Sequence, residues 1–387
     1  MLNPTNLSPT RVTVLEKHMN NSATLHFNSK ITSDNRSYGG VYPIVAHESH
    51  QQNVAALVNE ALHSLPEASP ENGLENVVVV KAGETIAIRK KPDFITATRG
   101  PGMRASLITG MDTAKGLAVA WQVPILGVNH MQAHALTPRL VSALDASSSG
   151  PAISTDPSFP FLTLLVSGGH TMLVHSKALC DHEILANTTD IAIGDMIDKC
   201  ARDILPPSII ASAPDVMYGP LLESYAFPDN PSKGEASQLT PQTIYNWKIA
   251  TPYSRSGPKG PTSYLKSFSY SGIGSSVKRI LEENPGMDDR ERRVLARETM
   301  RVAFEHLASR VLLYLQTLEL KNIQTLVVSG GVASNQYLKA VLRNSLDMKG
   351  HGDMRLVFPP PKFCTDNAAM IAWTGMEMYE AGWRTSL

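Results

Sequence analysis

The chain has 387 residues, of which 42% are hydrophobic and 18% are charged, which is typical of a folded protein with two domains or one large bilobal domain. The formal net charge is zero, which excludes bulk electrostatic attraction to nucleic acid and leaves any polyanion to a local basic patch. The cysteines Cys180, Cys200 and Cys364 form no C-x-x-C pair, so we expect a reducing compartment and no thiolate zinc site. No apolar run is long enough to span a bilayer, and the N-terminus lacks the apolar segment of a secretory signal.

Apolar periodicity in the first part of the chain predicts alternating strands and helices. In chain order these are strands at residues 10–14 and 23–27, a helix at 45–65, strands at 77–80 and 94–98, a helix at 107–121 and a strand at 124–128. Residues 83–92 are predicted to form a polar, basic insertion. Residues 142–159 are rich in serine, proline and aspartate, so we expect a boundary between two lobes there.

The second part of the chain predicts a second α/β lobe. In chain order we expect a strand hairpin at residues 161–166 and 171–175, a helix at 195–205, a loop at 206–219, a helix at 289–318, a strand at 326–329, a helix at 333–344, a strand at 355–358 and a helix at 367–379. Residues 229–262 remain unassigned. We therefore expect an N-terminal lobe of residues 1–158, closed by a C-terminal helix at 367–387, and a C-terminal lobe of residues 159–366.

The stretch GVNHMQAHAL places His130 and His134 one helical turn apart. Both imidazoles can therefore leave the same face of a helix and reach one metal ion. A strand precedes this helix, so the pair lies at a sheet edge, where α/β folds keep their sites. A solvated or core-satisfied histidine pair has the same spacing, so the pattern alone leaves both interpretations open.

Asp366 is the candidate third ligand, because a carboxylate with two histidines gives a metal site with open positions for water or substrate. Asp366 also stands where a helix begins, and there a helix N-cap is the alternative interpretation. A zincin protease needs glutamate directly after the first histidine, and the residue here is Met131, which disfavours that class of hydrolase.

An apolar strand followed by Ser-Gly-Gly occurs twice, at residues 164–169 and 326–331. Glycine lets a backbone N–H approach an oxyanion closely, so both turns are candidates for a nucleotide site; two unrelated strand ends are the alternative.

A helix-surface ion pair is the simpler interpretation of Asp198, which lies next to Lys199. For a row of arginines on one helix we expect a solvated, salt-bridged face rather than an RNA-binding patch; these are Arg290, Arg292, Arg293, Arg297 and Arg301.

Seven motifs occur together in an order that resembles the tRNA adenosine threonylcarbamoyltransferase family. They are RGPGMRASL (99–107), VNHMQAHAL (128–136), LLVSGGH (164–170), DMIDK (195–199), FSYSG (268–272), SGGVASN (329–335) and CTDN (364–367). The resemblance covers nearly the whole chain, from about residue 38 to residue 379. Within the family, VNHMQAHALTPRL and the ending GWRTSL are most similar to the mitochondrial branch.

The resemblance implies an α/β, actin-like and sugar-kinase-like fold of two lobes around a nucleotide cleft. It implies transfer of the threonylcarbamoyl group from threonylcarbamoyl-adenylate, made by a separate synthase, to the N6 amine of the adenosine next to the anticodon. The tRNAs concerned read codons that begin with A, and AMP is released. It also implies one divalent ion per subunit, zinc or iron, and a mitochondrial location. We further expect a homodimer and no membrane partner.

The resemblance also assigns roles to individual residues. His130, His134 and Asp366 match the family's metal ligands and are our candidate catalytic residues. The positions that match contacts to the substrate are Leu165, Val166, Ser167, Gly168, Gly169, Asp198, Gly219, Glu223, Ser334, Asn335 and Thr365. Because the donor is an already activated mixed anhydride, the enzyme need only orient it and stabilise developing charge, and no covalent nucleophile is required.

The start of the chain departs from the family. The family begins with a strand and an acidic turn of the type S-C-D-[DE]-T, and the aligned stretch here is Leu7-Ser8-Pro9-Thr10. We therefore expect the first strand of the N-terminal lobe, and any presequence, to be missing through a truncated gene model or an alternative start. A relative with impaired activity is the other interpretation. Two further functions stay open, an ATP-dependent small-molecule kinase or ATPase of the same superfamily and an inactive scaffold.

Overall fold

The computed structural model describes residues 9–38, 40–69, 73–228, 245–254, 256–257, 260–261, 267–316, 320 and 323–386. The chain divides into two compact units: unit 1 is Met1–Ser158 with Asp366–Leu387, and unit 2 is Phe159–Thr365. One detail of our lobe assignment is corrected, because we placed Asp366 in the second lobe and it belongs to unit 1. The reason is that its carboxylate lies against His130 and His134. Leu7 and Ser8, on which the expectation of a missing strand depends, lie outside the described residues.

Both units contain strands and helices, which confirms the predicted α/β class. The strands are, in chain order, β1 (Pro9–Lys17), β2 (Ala23–Thr32), β3 (Val77–Ala82), β4 (Thr85–Lys90), β5 (Ile95–Gly100), β6 (Ile125–Asn129), β7 (Phe161–Val166), β8 (Thr171–Ala178), β9 (Asp181–Asn187), β10 (Ser256–Gly257), β11 (Gly260–Pro261), β12 (Thr325–Ser329) and β13 (Arg355–Val357). The helices are α1 (Pro43–His63), α2 (Arg104–Trp121), α3 (His130–Asp145), α4 (Ile193–Ile204), α5 (Pro207–Ala211), α6 (Gly219–Ala226), α7 (Ser271–Glu283), α8 (Asp289–Leu315), α9 (Gln336–Met348), α10 (Pro361–Cys364) and α11 (Ala368–Glu380).

In unit 1, β1 pairs antiparallel with β2, and β5 pairs parallel with β6. Alternate side chains of β1 point into a core that also holds apolar residues of α1, α2, β5 and β6; Val12, for example, packs with Val54 and Leu57 of α1. Helix α11, from the end of the chain, packs against β1, β6 and α3. The C-terminal tail also meets β6, because Thr385 donates its N–H to the carbonyl of Ile125. The end of the chain is therefore built into unit 1.

The predicted polar insertion at residues 83–92 is wrong, because this segment contains β4, which pairs with β3 as an antiparallel hairpin. Its sequence TIAIRK contains three β-branched residues, Thr85, Ile86 and Ile88, which favour a strand. The basic residues at its end led to the prediction of a polar insertion. Ile86 and Ile88 remain exposed, so the hairpin contributes little to the core of unit 1.

Unit 2 is built on a five-stranded mixed sheet in the order β13-β12-β7-β8-β9. Strands β7 and β12 are parallel neighbours, with Leu165 of β7 level with Ser329 of β12. The carboxyl ends of parallel neighbours meet at one edge of a sheet. The two Ser-Gly-Gly sequences therefore lie side by side, because the first follows β7 directly and the second begins at Ser329, the last residue of β12.

Two further predictions in unit 2 need correction. The predicted loop at 206–219 contains the short helix α5 and ends where α6 begins. The predicted helix at 333–344 begins later, at Gln336, because residues 331–334 form a 3-10 turn and Asn335 is the N-cap. Of the unassigned stretch 229–262, residues 229–244, 255, 258–259 and 262 lie outside the described residues. In the described parts of the chain no helix has the length and apolarity that a membrane span requires.

Candidate functional site

The histidine pair is positioned by the junction of β6 and α3. Asn129 ends the strand and caps the helix, since its side-chain oxygen accepts hydrogen bonds from the N–H groups of Met131 and Gln132 at 2.9 and 3.2 Å. The helix therefore begins at His130 itself, and His134 follows one turn later on the same face. Both histidines are buried, with 3% of each residue exposed.

Asp366 lies between α10 and α11, and it is not the N-cap of α11. That role belongs to Asn367, whose side chain accepts the N–H of Met370 at 2.8 Å. The N-cap interpretation of Asp366 is therefore wrong by one residue. Because Asn367 satisfies the helix end, the Asp366 carboxylate is available to the imidazoles.

The three side chains converge on one point in unit 1. Asp366 Oδ1 lies 3.0 Å from His130 Nε2 and 2.9 Å from His134 Nε2, and the two Nε2 atoms are 3.1 Å apart. A tetrahedral zinc ion with bonds of about 2.0–2.1 Å holds its ligand atoms roughly 3.3 Å apart, so the observed spacing suits one ion with little adjustment. Among the described residues, this is the group of three or more histidine, cysteine or carboxylate side chains close enough to hold a metal ion.

The protonation states also suit metal binding. Burial opposes ionisation of Asp366, but the charge of His130 and the hydrogen bonds from both imidazoles outweigh it, so the pKa of Asp366 lies well below its ordinary value. Burial lowers the pKa of His134, which favours the neutral imidazole. Ionised carboxylate and neutral imidazole are the forms that bind metal ions. The donor set of two nitrogens and one oxygen fits zinc or iron(II).

A buried ion pair holds together the two helices next to the centre. Arg139 of α3 donates from Nε and Nη2 to the two carboxylate oxygens of Glu377 of α11, each at 2.9 Å. The guanidinium also donates to the carbonyl of Pro157 at 2.7 Å. Because α3 carries both histidines and α11 follows Asp366 directly, this pair fixes how the three ligands meet.

In unit 2, the first Ser-Gly-Gly turn follows β7. Leu165 and Val166 lie within the strand with buried side chains, while Gly168 and Gly169 are exposed in the turn. Ser167 closes the turn, since its Oγ accepts the N–H of His170 at 3.0 Å. The N–H of Gly169 donates to Ser167 Oγ at 3.3 Å. The exposed glycines leave open space at the carboxyl edge of the sheet, where an anion can approach the backbone closely.

Two further glycines allow close packing around these turns. Gly330, in the second turn, has a φ of +103°, and a Cβ there would lie 2.3 Å from the carbonyl oxygen of Val166. Gly194, in the first turn of α4, donates to the carbonyl of Ser167 at 3.1 Å, and a Cβ there would lie 2.7 Å from the N atom of Gly168. Neither position admits a side chain without a shift of the backbone. The start of α4 and both turns therefore form one tight cluster.

Asp198 and Glu223 each bind a helix start in unit 2. Asp198 accepts the N–H of Gly219, at the start of α6, at 2.8 Å. Burial raises the pKa of Asp198 to about 6, although hydrogen bonds from the N–H groups of Gly219 and Tyr218 act to lower it. Glu223 accepts the N–H groups of Gln336 and Tyr337, at the start of α9, at 2.6 and 3.1 Å. Burial also raises its pKa, and those N–H groups oppose the shift.

The remaining candidates lie around the second turn. Ser334 Oγ donates to the carbonyl of Gly331 at 2.7 Å, and Asn335 accepts the N–H of Leu338 at 2.8 Å as the N-cap of α9. Thr365 is exposed and packs against Gly331. Unit 2 thus brings both turns together and links Asp198 to Gly219 and Glu223 to α9.

Four arginines of α8 make hydrogen bonds or ion pairs within unit 2. Arg292 donates to the carbonyl of Ile204, Arg293 to that of Tyr225 and Arg297 to that of Ala226. Arg301 is paired with Glu298 and Glu305. This favours the structural interpretation of the row over an RNA-binding patch.

Two residues near the predicted motifs escaped the sequence analysis. Asp190 accepts hydrogen bonds from Ser269, Tyr270 and Ser271, and so anchors the FSYSG motif. Burial opposes ionisation of Asp190, but these bonds lower its pKa to about 2. Arg11 of β1 interacts electrostatically with Asp366. The sequence signals for both were weak, since each is a lone charged residue outside any motif.

Comparisons with known proteins identify the family of this chain. The sequence profile of the tRNA N6-adenosine threonylcarbamoyltransferase family matches residues 25–373. The mitochondrial tRNA N6-adenosine threonylcarbamoyltransferase of Schizosaccharomyces pombe is 34% identical over 386 residues, covering 99% of this chain and 81% of the relative. The probable mitochondrial enzyme of Arabidopsis thaliana is 32% identical over 360 residues, covering 89% of this chain and 62% of the relative.

The match spans nearly the whole chain, so this protein belongs to the tRNA N6-adenosine threonylcarbamoyltransferase family. This confirms the family, and the acyltransferase class, predicted from the seven motifs. A solved structure, component A of the Acidaminococcus fermentans (R)-2-hydroxyglutaryl-CoA dehydratase, is 12% identical with a TM-score of 0.45, covering 96% of this chain and 94% of that chain. A likeness at that level adds nothing to the assignment.

Proposed function

We propose that this protein transfers a threonylcarbamoyl group from threonylcarbamoyl-adenylate to the N6 amine of the adenosine next to the anticodon, in tRNAs that read codons beginning with A. The amine nitrogen attacks the carbamoyl carbon, the bond from that carbon to the phosphate oxygen breaks, and AMP leaves with the electron pair. The amine loses one proton. The observation that carries the proposal is the convergence of His130, His134 and Asp366 within 3.1 Å of one another, in a chain of this family.

We assign a metal-binding role to these three residues, with one divalent ion per chain, zinc or iron. When bound, such an ion supplies Lewis-acid stabilisation of the negative charge that develops during transfer. The residues themselves keep the ligands in place: Asn129 starts α3 at His130, Asn367 frees Asp366 from capping, and the Arg139–Glu377 pair locks α3 to α11.

We assign the adenylate to the cluster of Ser-Gly-Gly turns in unit 2. The exposed glycines Gly168 and Gly169 suit the phosphate, because nothing stands where their Cβ atoms would be and an anion can approach their backbone closely. The carboxylates of Asp198 and Glu223 suit ribose hydroxyls as acceptors. Thr365, beside the second turn, precedes Asp366 directly in the chain, so one peptide bond joins the proposed adenylate residues to the proposed metal ligands.

The names of the relatives support a location for the reaction. Both relatives above are named mitochondrial, and we propose the same location for this protein. We also propose a homodimer, and a separate synthase as the source of the donor. Sedimentation of the purified protein tests the dimer.

The test is a transfer assay with purified protein, tRNA and threonylcarbamoyl-adenylate, read out as modified nucleoside and AMP. We expect wild type to form both products in equal amounts. The substitution His130→Ala removes one ligand and should lower the rate by more than about 100-fold. His63→Ala, at the end of α1 and outside the triad, is the matched control and should leave the rate unchanged.

Two results would contradict the proposal. A His130→Ala protein as active as wild type would remove the catalytic role of the centre. Phosphate transfer from ATP to a small molecule, with no product on tRNA, would show a kinase instead.

A further inference from the structure

Arg11 lies on β1, and its neighbours in that strand show which way its side chain points. Thr10 contacts α1, because its Oγ1 lies 2.8 Å from His50 Nδ1. Val12 packs against Val54 and Leu57 of the same helix. Side chains alternate between the two faces of a strand, so Arg11 points to the opposite face. Helix α11, which begins just after Asp366, also packs against β1.

The guanidinium of Arg11 is partly buried and incompletely paired. Its Nε is buried and has no hydrogen-bond partner among the described residues. Burial lowers the pKa of Arg11, and the negative charge of Asp366 opposes that shift. A partly buried cation that acts on the ligand carboxylate is therefore part of the surroundings of this centre.

A charge count shows what this cation does. In the form that binds a metal ion, with both imidazoles neutral and the carboxylate ionised, the three ligands carry a net charge of −1. Arg11 brings the local total to zero. A divalent ion entering the centre is attracted by the carboxylate and repelled by the guanidinium, and partial burial weakens the screening of both forces.

We propose that Arg11 sets the metal affinity of this centre: its positive charge balances that of Asp366 and weakens the binding of a divalent cation. The inference rests on the metal site proposed above. With the ion bound, the same charge raises the net positive charge of the centre, which suits an anionic acyl phosphate.

The test is a zinc titration of metal-free protein against a chromophoric chelator, for wild type and three variants. Arg11→Gln removes the charge and should bind zinc about tenfold more tightly than wild type. Arg11→Lys keeps the charge and should stay near wild type. Lys30→Gln is the matched control, because Lys30 pairs with Arg11 across β1 and β2 but is exposed, and it should also stay near wild type.

Far-UV circular dichroism of each variant establishes that it is folded. Zinc affinity that is unchanged in folded Arg11→Gln overturns the inference. Equal tightening in Arg11→Lys overturns it too, because packing rather than charge would then be the cause. A His130→Ala protein that binds zinc like wild type would instead refute the metal site itself, so the two failures are distinguishable.

Discussion

Two asparagines illustrate how single residues build the metal centre. Asn129 and Asn367 each satisfy the exposed N–H groups of a helix start, at α3 and α11. The residue next to each cap, His130 or Asp366, then keeps its polar atoms for the centre. The sequence alone could not separate Asp366 from Asn367 as the cap, because both residue types cap helices well and they are adjacent.

The pKa of Asp198 yields a prediction about nucleoside binding. With a pKa of about 6, its carboxyl is mostly neutral at pH 5 and mostly ionised at pH 7. An ionised carboxylate accepts hydrogen bonds from ribose hydroxyls more strongly than the neutral acid does. We therefore expect the affinity for adenosine to rise by up to about tenfold between pH 5 and pH 7, which is the change in the ionised fraction of Asp198.

Adenosine is the right probe, because it lacks the phosphate whose own titration would confuse the result. Calorimetric titration of Asp198→Asn at both pH values is the comparison. That variant should bind with little dependence on pH. A wild-type affinity that does not change over this range would remove Asp198 from the nucleoside site.

At the scale of elements, the proposed metal centre depends on a fixed relative position of α3 and α11. Arg139 and Glu377 are 8% and 7% exposed, so each charge depends on the other inside the protein. Removal of one partner from a buried pair typically costs about 3–5 kcal/mol, whereas replacement of both by apolar residues costs much less.

The substitution Glu377→Leu should therefore lower the free energy of unfolding by about 3 kcal/mol and weaken zinc binding. The double variant Arg139→Met, Glu377→Leu should recover most of that loss. Urea unfolding and zinc titration measure the two effects. If single and double variants are equally destabilised, the ion pair is not what joins the helices.

Most elements could be predicted from sequence, and the failures have physical causes. Strands β1, β5, β6, β7 and β12 carry strong apolar patterns and were predicted within a few residues. Strand β9 was missed because DHEILAN is largely exposed and charged. Helix α7 was missed because SGIGSS begins it with residues that favour turns.

The candidate centre was predicted only in part for a similar reason. The spacing of His130 and His134 is local, so the sequence contains it directly. The approach of Asp366 joins positions 232 residues apart, and only the resemblance to a family suggested it. The position of Arg11 depends on which face of β1 is buried, which no local pattern fixed.

At the scale of the whole molecule, each unit holds one kind of candidate site. Unit 1 contains the three proposed metal ligands, and unit 2 contains the proposed adenylate residues. The net charge is zero, and four of the five arginines highlighted on α8 make contacts within unit 2. We therefore expect contact with tRNA to use local surfaces other than these four arginines.

The most direct measurement is the metal content of the purified, zinc-saturated protein after dialysis, by mass spectrometry of the metal. For wild type and for His63→Ala we expect about one zinc ion per chain, as in a single site with three protein ligands. For His134→Ala and Asp366→Ala we expect almost none. If Asp366→Ala, folded as judged by circular dichroism, retains as much zinc as wild type, then the carboxylate is not a ligand and the proposed centre is wrong.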